Sequence, residues 1–177
     1  MGSKNSKKSY TIAMVGLDGA GKSSMIKYLE SQDKKKKSEP SNPSNLPIKL
    51  INYKGVNLTI YKVGGKNSYL RKLFKEKMDA VIFVVDSLDK DKFEDGAKEL
   101  ETIVHEDNMV DSAILLFANK QDLNGAFTPG EVTDKLRMGQ LKGRTWLCQG
   151  SISLSGEGVV SGLDWLINAL NRIKKNK

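Results

Sequence analysis

Apolar runs and segments of helical periodicity alternate along this chain. Short apolar runs that end in polar or glycine-rich sequence predict five β-strands, at residues 10–15, 48–52, 57–63, 80–87 and 113–120. Apolar residues that recur every three or four positions predict four helices, at residues 23–30, 93–104, 128–136 and 159–173. This alternation predicts an α/β fold with a mostly parallel sheet and helices on both faces, whose ligand binds at the carboxyl ends of the strands.

Local signals mark where several of these elements begin and end. The second and third strands are joined by Tyr53, Lys54 and Gly55, which predicts a hairpin. The run TPGE at residues 128–131 has the spacing of a capping box with proline at the first helical position, so a helix should begin there. Residues 32–47 combine a lysine run with SEPSNPSNLP, a composition that cannot bury a core, and we expect a mobile loop.

The composition indicates one domain with an anionic partner. A chain of 177 residues can bury a substantial core without a metal or a disulfide. The single cysteine, Cys148, excludes an internal disulfide and favours a reducing compartment, which we expect to be the cytosol. No apolar stretch approaches the roughly 18 residues that cross a bilayer, and the first residues are polar rather than signal-like. The net charge of +8 points to an anionic partner without naming it.

The motif GLDGAGKSS, at residues 16–24, carries the strongest chemical signal. It fits G-x-x-x-x-G-K-[ST] between a predicted strand and a predicted helix, where backbone N–H groups and the helix dipole surround a phosphate. We expect Lys22 to reach the β- and γ-phosphates, Ser23 to supply an oxygen to Mg²⁺, and Ser24 to bond a phosphate further back. A glycine-rich turn with an incidental lysine is the alternative, but the strand-to-helix context favours the phosphate loop. The other residues of this predicted site are Asp18, Gly19, Ala20 and Gly21.

A second signal, NKQD at residues 119–122, predicts recognition of guanine. The carboxylate of Asp122 can accept hydrogen bonds from N1–H and the N2 amino group of guanine, which adenine cannot supply. Asn119 can address the other edge of the base while the stem of Lys120 lies along the ring plane. A base that leaves a buried polar group unpaired is rejected by a factor on the order of 10⁴. The motif alone is weak, but its place at the end of a strand, downstream of a phosphate loop, makes it strong.

Together the motifs GLDGAGKS, VGG, FVVDS, FANKQDL and SGEGVVSGLDWL resemble the ADP-ribosylation-factor-like (Arf-like) branch of the small Ras-type GTPases. The resemblance covers residues 10–170. It implies a P-loop NTPase fold of the Ras-like G-domain type with six strands and five helices, GTP and GDP as ligands, and Mg²⁺ as cofactor. It also implies two switch segments that change shape with the γ-phosphate and bind effector and regulator proteins. By the same resemblance Gly65, Leu123 and the backbone N–H of Ser153 contact the nucleotide.

Two lysines depart from the family pattern beside the VGG motif, where the family has W-D-V-G-G-Q. Lys62 takes the position of the aspartate that helps to hold Mg²⁺ through water, and Lys66 takes that of the glutamine that orients the attacking water. A lysine about 5 Å from a divalent cation is repelled by several kcal/mol at an effective dielectric of about 20. Three alternatives follow: the ammonium of Lys62 turns away from the site, it lowers the affinity for the metal, or it takes over part of the neutralisation of the phosphate charge. Lys66 has only donors, so no catalytic residue is assigned at this position.

The first switch departs from the family pattern as well. The family has a threonine there that closes over Mg²⁺ and the γ-phosphate, and a count without gaps places Pro43 at that position. Ser41 and Ser44 could substitute only if the register shifts. These changes predict a guanine-nucleotide-binding protein with weak GTP hydrolysis and a Mg²⁺ requirement that is weakened or dispensable.

The N-terminus predicts attachment to a membrane. Residues 1–6 fit M-G-x-x-x-[ST], the pattern for N-myristoylation at Gly2, and Lys4, Lys7 and Lys8 follow. One myristoyl chain binds membranes only marginally, so the lysines supply a second attraction of about 1 kcal/mol each at an anionic surface. We therefore expect a polar basic segment over residues 1–9, a single Arf-like G domain over residues 10–177, and a cytoplasmic protein with peripheral membrane association.

The function expected from the whole sequence is that of a membrane-associated Arf-like switch or scaffold in trafficking, acting as a monomer. A pseudo-GTPase that binds no nucleotide and serves only as an interaction module is the alternative. Binding of nucleic acid through the basic surface is disfavoured, because the chain has no recognisable nucleic-acid motif and no aromatic residues interleaved on a basic face.

Overall fold

The computed structural model describes residues 8–33, 48–64 and 77–176. Its strands are β1 (Ser9–Val15), β2 (Ile48–Tyr53), β3 (Val56–Lys62), β4 (Ala80–Asp86), β5 (Ala113–Asn119) and β6 (Trp146–Ser151). Its α-helices are α1 (Lys22–Gln32), α2 (Phe93–Val104), α3 (Pro129–Lys135) and α4 (Val159–Lys175). Short 3₁₀ segments lie at Lys90–Lys92, Asp107–Met109 and Met138–Gln140.

The six strands form one mostly parallel sheet in the order β2-β3-β1-β4-β5-β6. Strand β2 pairs with β3 in antiparallel fashion, and the remaining neighbours are parallel. The hairpin between β2 and β3 turns at Lys54 and Gly55, which both have positive φ, as the tight hairpin turns require. The prediction of a mostly parallel α/β sheet is confirmed.

The five strands and four helices predicted from periodicity are present, with ends that differ from the prediction by at most two residues. The capping box is confirmed, because Thr128 N donates to Glu131 Oε2 at 2.8 Å while Glu131 N donates to Thr128 Oγ1 at 3.3 Å. Strand β6 was not predicted from periodicity. All but its last residue are half-buried at the edge of the sheet, so neither a continuous apolar run nor an alternation marks it. Of the five helices implied by the resemblance, four lie in the described ranges.

Two apolar cores sandwich the sheet. On one face α1 and α4 bury Met25, Leu29, Leu163 and Leu166 against β1 and its neighbours. On the other face α2 and α3 bury a second cluster that includes Leu100. Because both faces are covered, β4 and β5 are almost wholly apolar, as strands of an enclosed parallel sheet are. None of the helices in the described ranges is long and apolar enough to cross a membrane.

Two polar networks fasten connections to these layers. The half-buried guanidinium of Arg144 donates to the carbonyl oxygens of Val104, Met109 and Ser112, which joins the segment before β6 to the end of α2 and the start of β5. The hairpin is joined to α4 because Tyr53 and Lys54 both donate to the carboxylate of Asp164; these N–O and O–O distances are 2.8–2.9 Å.

The strand register brings the candidate residues to one edge of the sheet. Lys62 pairs with Met14 near the carboxyl end of β1, Asp86 pairs with Asn119, and Asn119 pairs with Ser151. The ends of β3, β1, β4, β5 and β6 therefore lie side by side, where an α/β fold binds its ligand.

Candidate functional site

The predicted phosphate loop leaves β1 at Val15 and enters α1 at Lys22. Two of its glycines are required by close neighbours. A Cβ on Gly16 would lie 2.1 Å from the carbonyl oxygen of Val84, and one on Gly21 would lie 2.2 Å from Asn119 Nδ2. Gly21 also has a φ of 103°, which residues with a side chain rarely adopt. The loop is therefore pressed against both β4 and the NKQD segment.

Lys22 is a buried cation whose hydrogen bonds go to backbone carbonyl groups of this loop. Its side chain is 7% exposed, and Nζ donates to the carbonyl oxygens of Gly16 and Leu17, the latter at 2.8 Å. Burial lowers the pKa of Lys22; the nearby carboxylate of Asp18 opposes this shift and the charge of Lys62 adds to it. An anionic phosphate would offset the burial of this charge, as the sequence predicts.

Lys62 points into the site. It is the last residue of β3, and the bond from Val63 N to Met14 O, 2.8 Å long, fixes the backbone there against β1. The half-buried side chain turns toward the start of α1, and its Nζ donates to Ser23 Oγ at 3.1 Å. The sequence left the direction of this side chain open. In this structure the ammonium lies at the site, beside the start of α1.

These residues do not fit a magnesium ion bound in the usual way. Mg²⁺ takes oxygen ligands at about 2.1 Å, so an ion on Ser23 Oγ would lie within about 5 Å of Lys62 Nζ. A divalent and a monovalent cation at that distance repel by about 6 kcal/mol at an effective dielectric of about 20. Within residues 8–33, 48–64 and 77–176, no three histidine, cysteine, aspartate or glutamate side chains are grouped to hold a metal ion.

Asn119 joins the phosphate loop to the segment that follows β6. Its side chain is fully buried, and Nδ2 donates to the carbonyl oxygen of Ala20 at 2.7 Å and to Ser153 Oγ at 3.1 Å. Its Oδ1 accepts from Ser153 N at 2.9 Å and from Ser151 Oγ at 3.2 Å. An amide side chain has two N–H donors and two acceptor lone pairs, so all four are used. Asn119 thus braces two loops, and in this arrangement it has no free group for a base.

The rest of the NKQD segment forms a turn after β5. Lys120 has a left-handed φ of 65°, and its Nζ pairs with Asp86 Oδ2 at 2.5 Å. Gln121 Nε2 donates to Ser87 Oγ at 3.0 Å, which holds the turn against the end of β4. Asp122 is exposed to solvent, as a residue that receives a base must be in the free protein. Leu123 follows it and is also exposed.

The other predicted contacts differ in how accessible they are. Ser153 is buried, and its backbone N–H, the group expected to contact guanine, donates to Asn119 Oδ1 in this structure. The contact with guanine stays a prediction. Asp18 and Gly19 are exposed at the tip of the phosphate loop, and Ser24 is half-buried in the first turn of α1. Several other predicted residues lie outside the described ranges: Gly2, Ser41, Pro43, Ser44, Gly65 and Lys66.

Two residues of this arrangement were missed in the sequence. Asp86 orients Lys120, and Ser151 completes the hydrogen bonds of Asn119. Asp86 lies in the FVVDS motif and ends the apolar run of β4, as Asn119 ends that of β5. Because neighbouring parallel strands end side by side, this position could have indicated that Asp86 lies near the NKQD segment. Ser151 had none, because β6 itself was not predicted from periodicity.

Comparison with known proteins identifies the family. A model of the ADP-ribosylation factor family matches residues 1–170. The chain belongs to this family. ADP-ribosylation factor-like protein 1 of Saccharomyces cerevisiae (strain ATCC 204508 / S288c) is 38% identical over 168 residues, which cover 93% of this chain and 90% of the yeast protein.

A solved structure supports the same assignment for the fold. The Arl6 BBS3 small GTPase from Trypanosoma brucei, with bound nucleotide analogue GppNp, matches with a TM-score of 0.80 and 25% identity. The match covers 93% of this chain and 99% of that one. The predicted Ras-like G-domain fold is confirmed, and the chain is an Arf-like small GTPase. Membership of this family implies GTP and GDP as ligands and Mg²⁺ as a general cofactor, together with effector and regulator proteins.

Proposed function

We propose that this Arf-family protein is a guanine-nucleotide-binding switch or scaffold that attaches to membranes, acts in trafficking and hydrolyses GTP slowly. The observation that carries the nucleotide part is the Asn119 brace. It joins Ala20 of the phosphate loop to Ser153 of the predicted base loop in a buried network with every amide group paired. Because one side chain holds the phosphate loop and the predicted base loop together, the two loops can bind a single ligand that has both a base and phosphates.

Slow hydrolysis follows from the residue types at two positions. Hydrolysis of GTP needs an oriented water and a neutralised γ-phosphate. Lys66 stands at the family's glutamine position and has donors only, so it cannot accept a hydrogen bond from the attacking water. Lys62 points at Ser23, and its charge can hold the phosphates of GTP without activating water. Both lysines favour the bound triphosphate over its cleavage.

Membrane attachment is supported by basic residues where the N-terminal segment enters the fold. Lys174 Nζ donates to Ser9 O at 3.2 Å and lies 4.2 Å from the ring centroid of Tyr10. The end of α4 carries Arg172 and Lys175 as well. The described chain therefore begins beside this basic helix end, where anionic lipid would add to the binding by a myristoyl group on Gly2.

Purified protein tests the nucleotide part directly. We expect guanine nucleotide to be released on denaturation of the fresh protein, and GDP and GTP to bind far more tightly than ADP and ATP. In single-turnover reactions we expect slower hydrolysis than by an Arf-family protein with the usual aspartate and glutamine, and faster hydrolysis by the Lys62→Asp/Lys66→Gln variant. Hydrolysis by the native chain as fast as by that reference protein would refute slow turnover. Absence of any nucleotide binding would support the alternative of a pseudo-GTPase that serves only as an interaction module.

Vesicle sedimentation tests the membrane part. The N-myristoylated full chain should bind vesicles that contain phosphatidylserine and dissociate as salt is raised, because screening weakens the lysine attraction. A Gly2→Ala variant expressed with the acyltransferase is the matched control. Equal binding of the two proteins would contradict attachment through Gly2.

A further inference from the structure

We propose that the Lys62 ammonium replaces the divalent cation of this site, so that the protein binds a guanosine di- or triphosphate without Mg²⁺. The inference rests on the proposed guanine-nucleotide binding and goes further, because it names what neutralises the phosphates. Its basis is the bond between Lys62 Nζ and Ser23 Oγ, which places a fixed positive charge on the hydroxyl expected to hold the metal.

The hydroxyl is changed by this partner. Because an ammonium has donors and no acceptor, the bond from Lys62 uses a lone pair of Ser23 Oγ. The hydroxyl hydrogen is then free to donate to a phosphate, and the second lone pair of Oγ faces the repulsion that the neighbouring ammonium exerts on a divalent ion. A serine that donates and a lysine beside it together suit phosphate oxygens, which accept hydrogen bonds and carry negative charge.

The backbone that carries this charge is held by the sheet. The backbone of Lys62 is held in the sheet beside Met14, two residues before Gly16 begins the phosphate loop. Lys22 supplies a second ammonium from inside the same loop. Lys22 and Lys62 together bring two formal positive charges to the phosphates, one fewer than Lys22 with a divalent ion, and neither charge can be removed by a chelator.

The charge around Lys62 also disfavours a metal. Two carboxylates, those of Asp18 and Glu99, act on the charge of Lys22, and Lys62 stands where the family has a further aspartate. Removing one negative charge and adding one positive charge at the same position changes the local charge by two.

The affinity of the full chain for mant-GDP and mant-GppNHp, with millimolar Mg²⁺ and with excess EDTA, tests the proposal. For the native protein we expect dissociation constants that differ by less than about threefold between the two conditions. For Lys62→Asp we expect chelation to weaken binding by about 100-fold or more, since a carboxylate restores the preference for a divalent ion. Lys142→Gln, which alters an exposed lysine elsewhere, should behave as the native protein.

Two further measurements keep the test decisive if Lys62→Asp folds poorly. Ser23→Ala should weaken mant-GDP binding by less than about tenfold and equally in Mg²⁺ and EDTA, because its hydroxyl is not a metal ligand. Electron paramagnetic resonance of Mn²⁺ added to the GDP complex should show the ion free in solution for the native chain. Immobilised Mn²⁺ would overturn the proposal.

The possible outcomes separate the two proposals. Binding of guanine nucleotide that survives EDTA supports the replacement of the metal. Binding that is tight in Mg²⁺ and collapses in EDTA overturns the replacement and leaves the guanine-nucleotide function intact. Absence of binding to either nucleotide in both conditions overturns the proposed function and the metal replacement with it.

Discussion

Removal of the Asn119 side-chain amide should weaken both the fold and the nucleotide site. The change to alanine removes four hydrogen bonds at 2.7–3.2 Å from a fully buried position. The hydroxyls of Ser151, which donates to Asn119, and Ser153, which accepts from it, can rotate once the amide is gone. The carbonyl of Ala20 and the N–H of Ser153 cannot, so two buried backbone groups are left unpaired.

The size of the effect follows from those two groups. Each unpaired buried group costs about 1–3 kcal/mol, so we expect Asn119→Ala to lower the free energy of unfolding by about 3 kcal/mol. For a domain of this length that loss lowers Tm by roughly 6–12 °C. We also expect a weaker affinity for mant-GDP, because the phosphate loop and the predicted base loop lose the side chain that sets their separation.

Urea unfolding followed by circular dichroism measures the stability, and mant-GDP titration measures the affinity. Asn168→Ala is the matched control, since this asparagine is exposed on α4. The reasoning would be refuted if Asn119→Ala and Asn168→Ala unfolded at the same urea concentration. A large loss of stability with unchanged nucleotide affinity would show that the brace supports the fold alone.

Two further changes probe the polar networks that fasten the connections. Arg144→Lys should lower the free energy of unfolding by about 1–3 kcal/mol, because one ammonium cannot span the three carbonyls that the guanidinium reaches; equal urea midpoints for this variant and the exposed Arg172→Lys would contradict that. Burial raises the pKa of Asp164, but hydrogen bonds from Lys54 and Tyr53 outweigh it, so the folded pKa is lowered. The stabilisation by Asp164 is therefore present above the unfolded pKa of about 3.9 and is lost as pH falls through the folded pKa. Urea midpoints of native protein and Asp164→Asn should converge on acidification, and a gap that stays constant down to pH values of about 2.5 would rule this out.

The enclosed part of the fold was predictable because burial leaves a strong pattern. Strands β4 and β5 are covered on both faces, so they are continuous apolar runs whose ends the sequence marks within one residue. The helix after Thr128 was predictable from its capping box, a purely local signal. Strand β6 was not, because its half-buried position at the sheet edge imposes neither a run nor an alternation.

The candidate site divides in a similar way. Motif spacing brought the phosphate loop and the NKQD segment to one edge of the sheet, since strand order and parallel register follow from the fold class. The sequence could not show that every hydrogen-bonding group of the Asn119 amide binds a protein partner. Those partners lie in the phosphate loop, at the end of β6 and in the segment after β6. Nor could it show the direction of Lys62, since a lysine at a strand end has a flexible stem with several allowed rotamers.

Lys62 and Asn119 show how differently two site residues are tied to the fold. The backbone of Lys62 is held by the pairing of β3 with β1, while its half-exposed side chain contributes little to either core. Its charge can therefore be reversed relative to the family pattern without cost to the sheet. Asn119 is buried and fully paired, so we expect a change there to alter stability and the site together. The chemistry at the phosphates can thus diverge within an intact Arf-family fold, whereas the brace between the two loops is fixed by the energetics of burial.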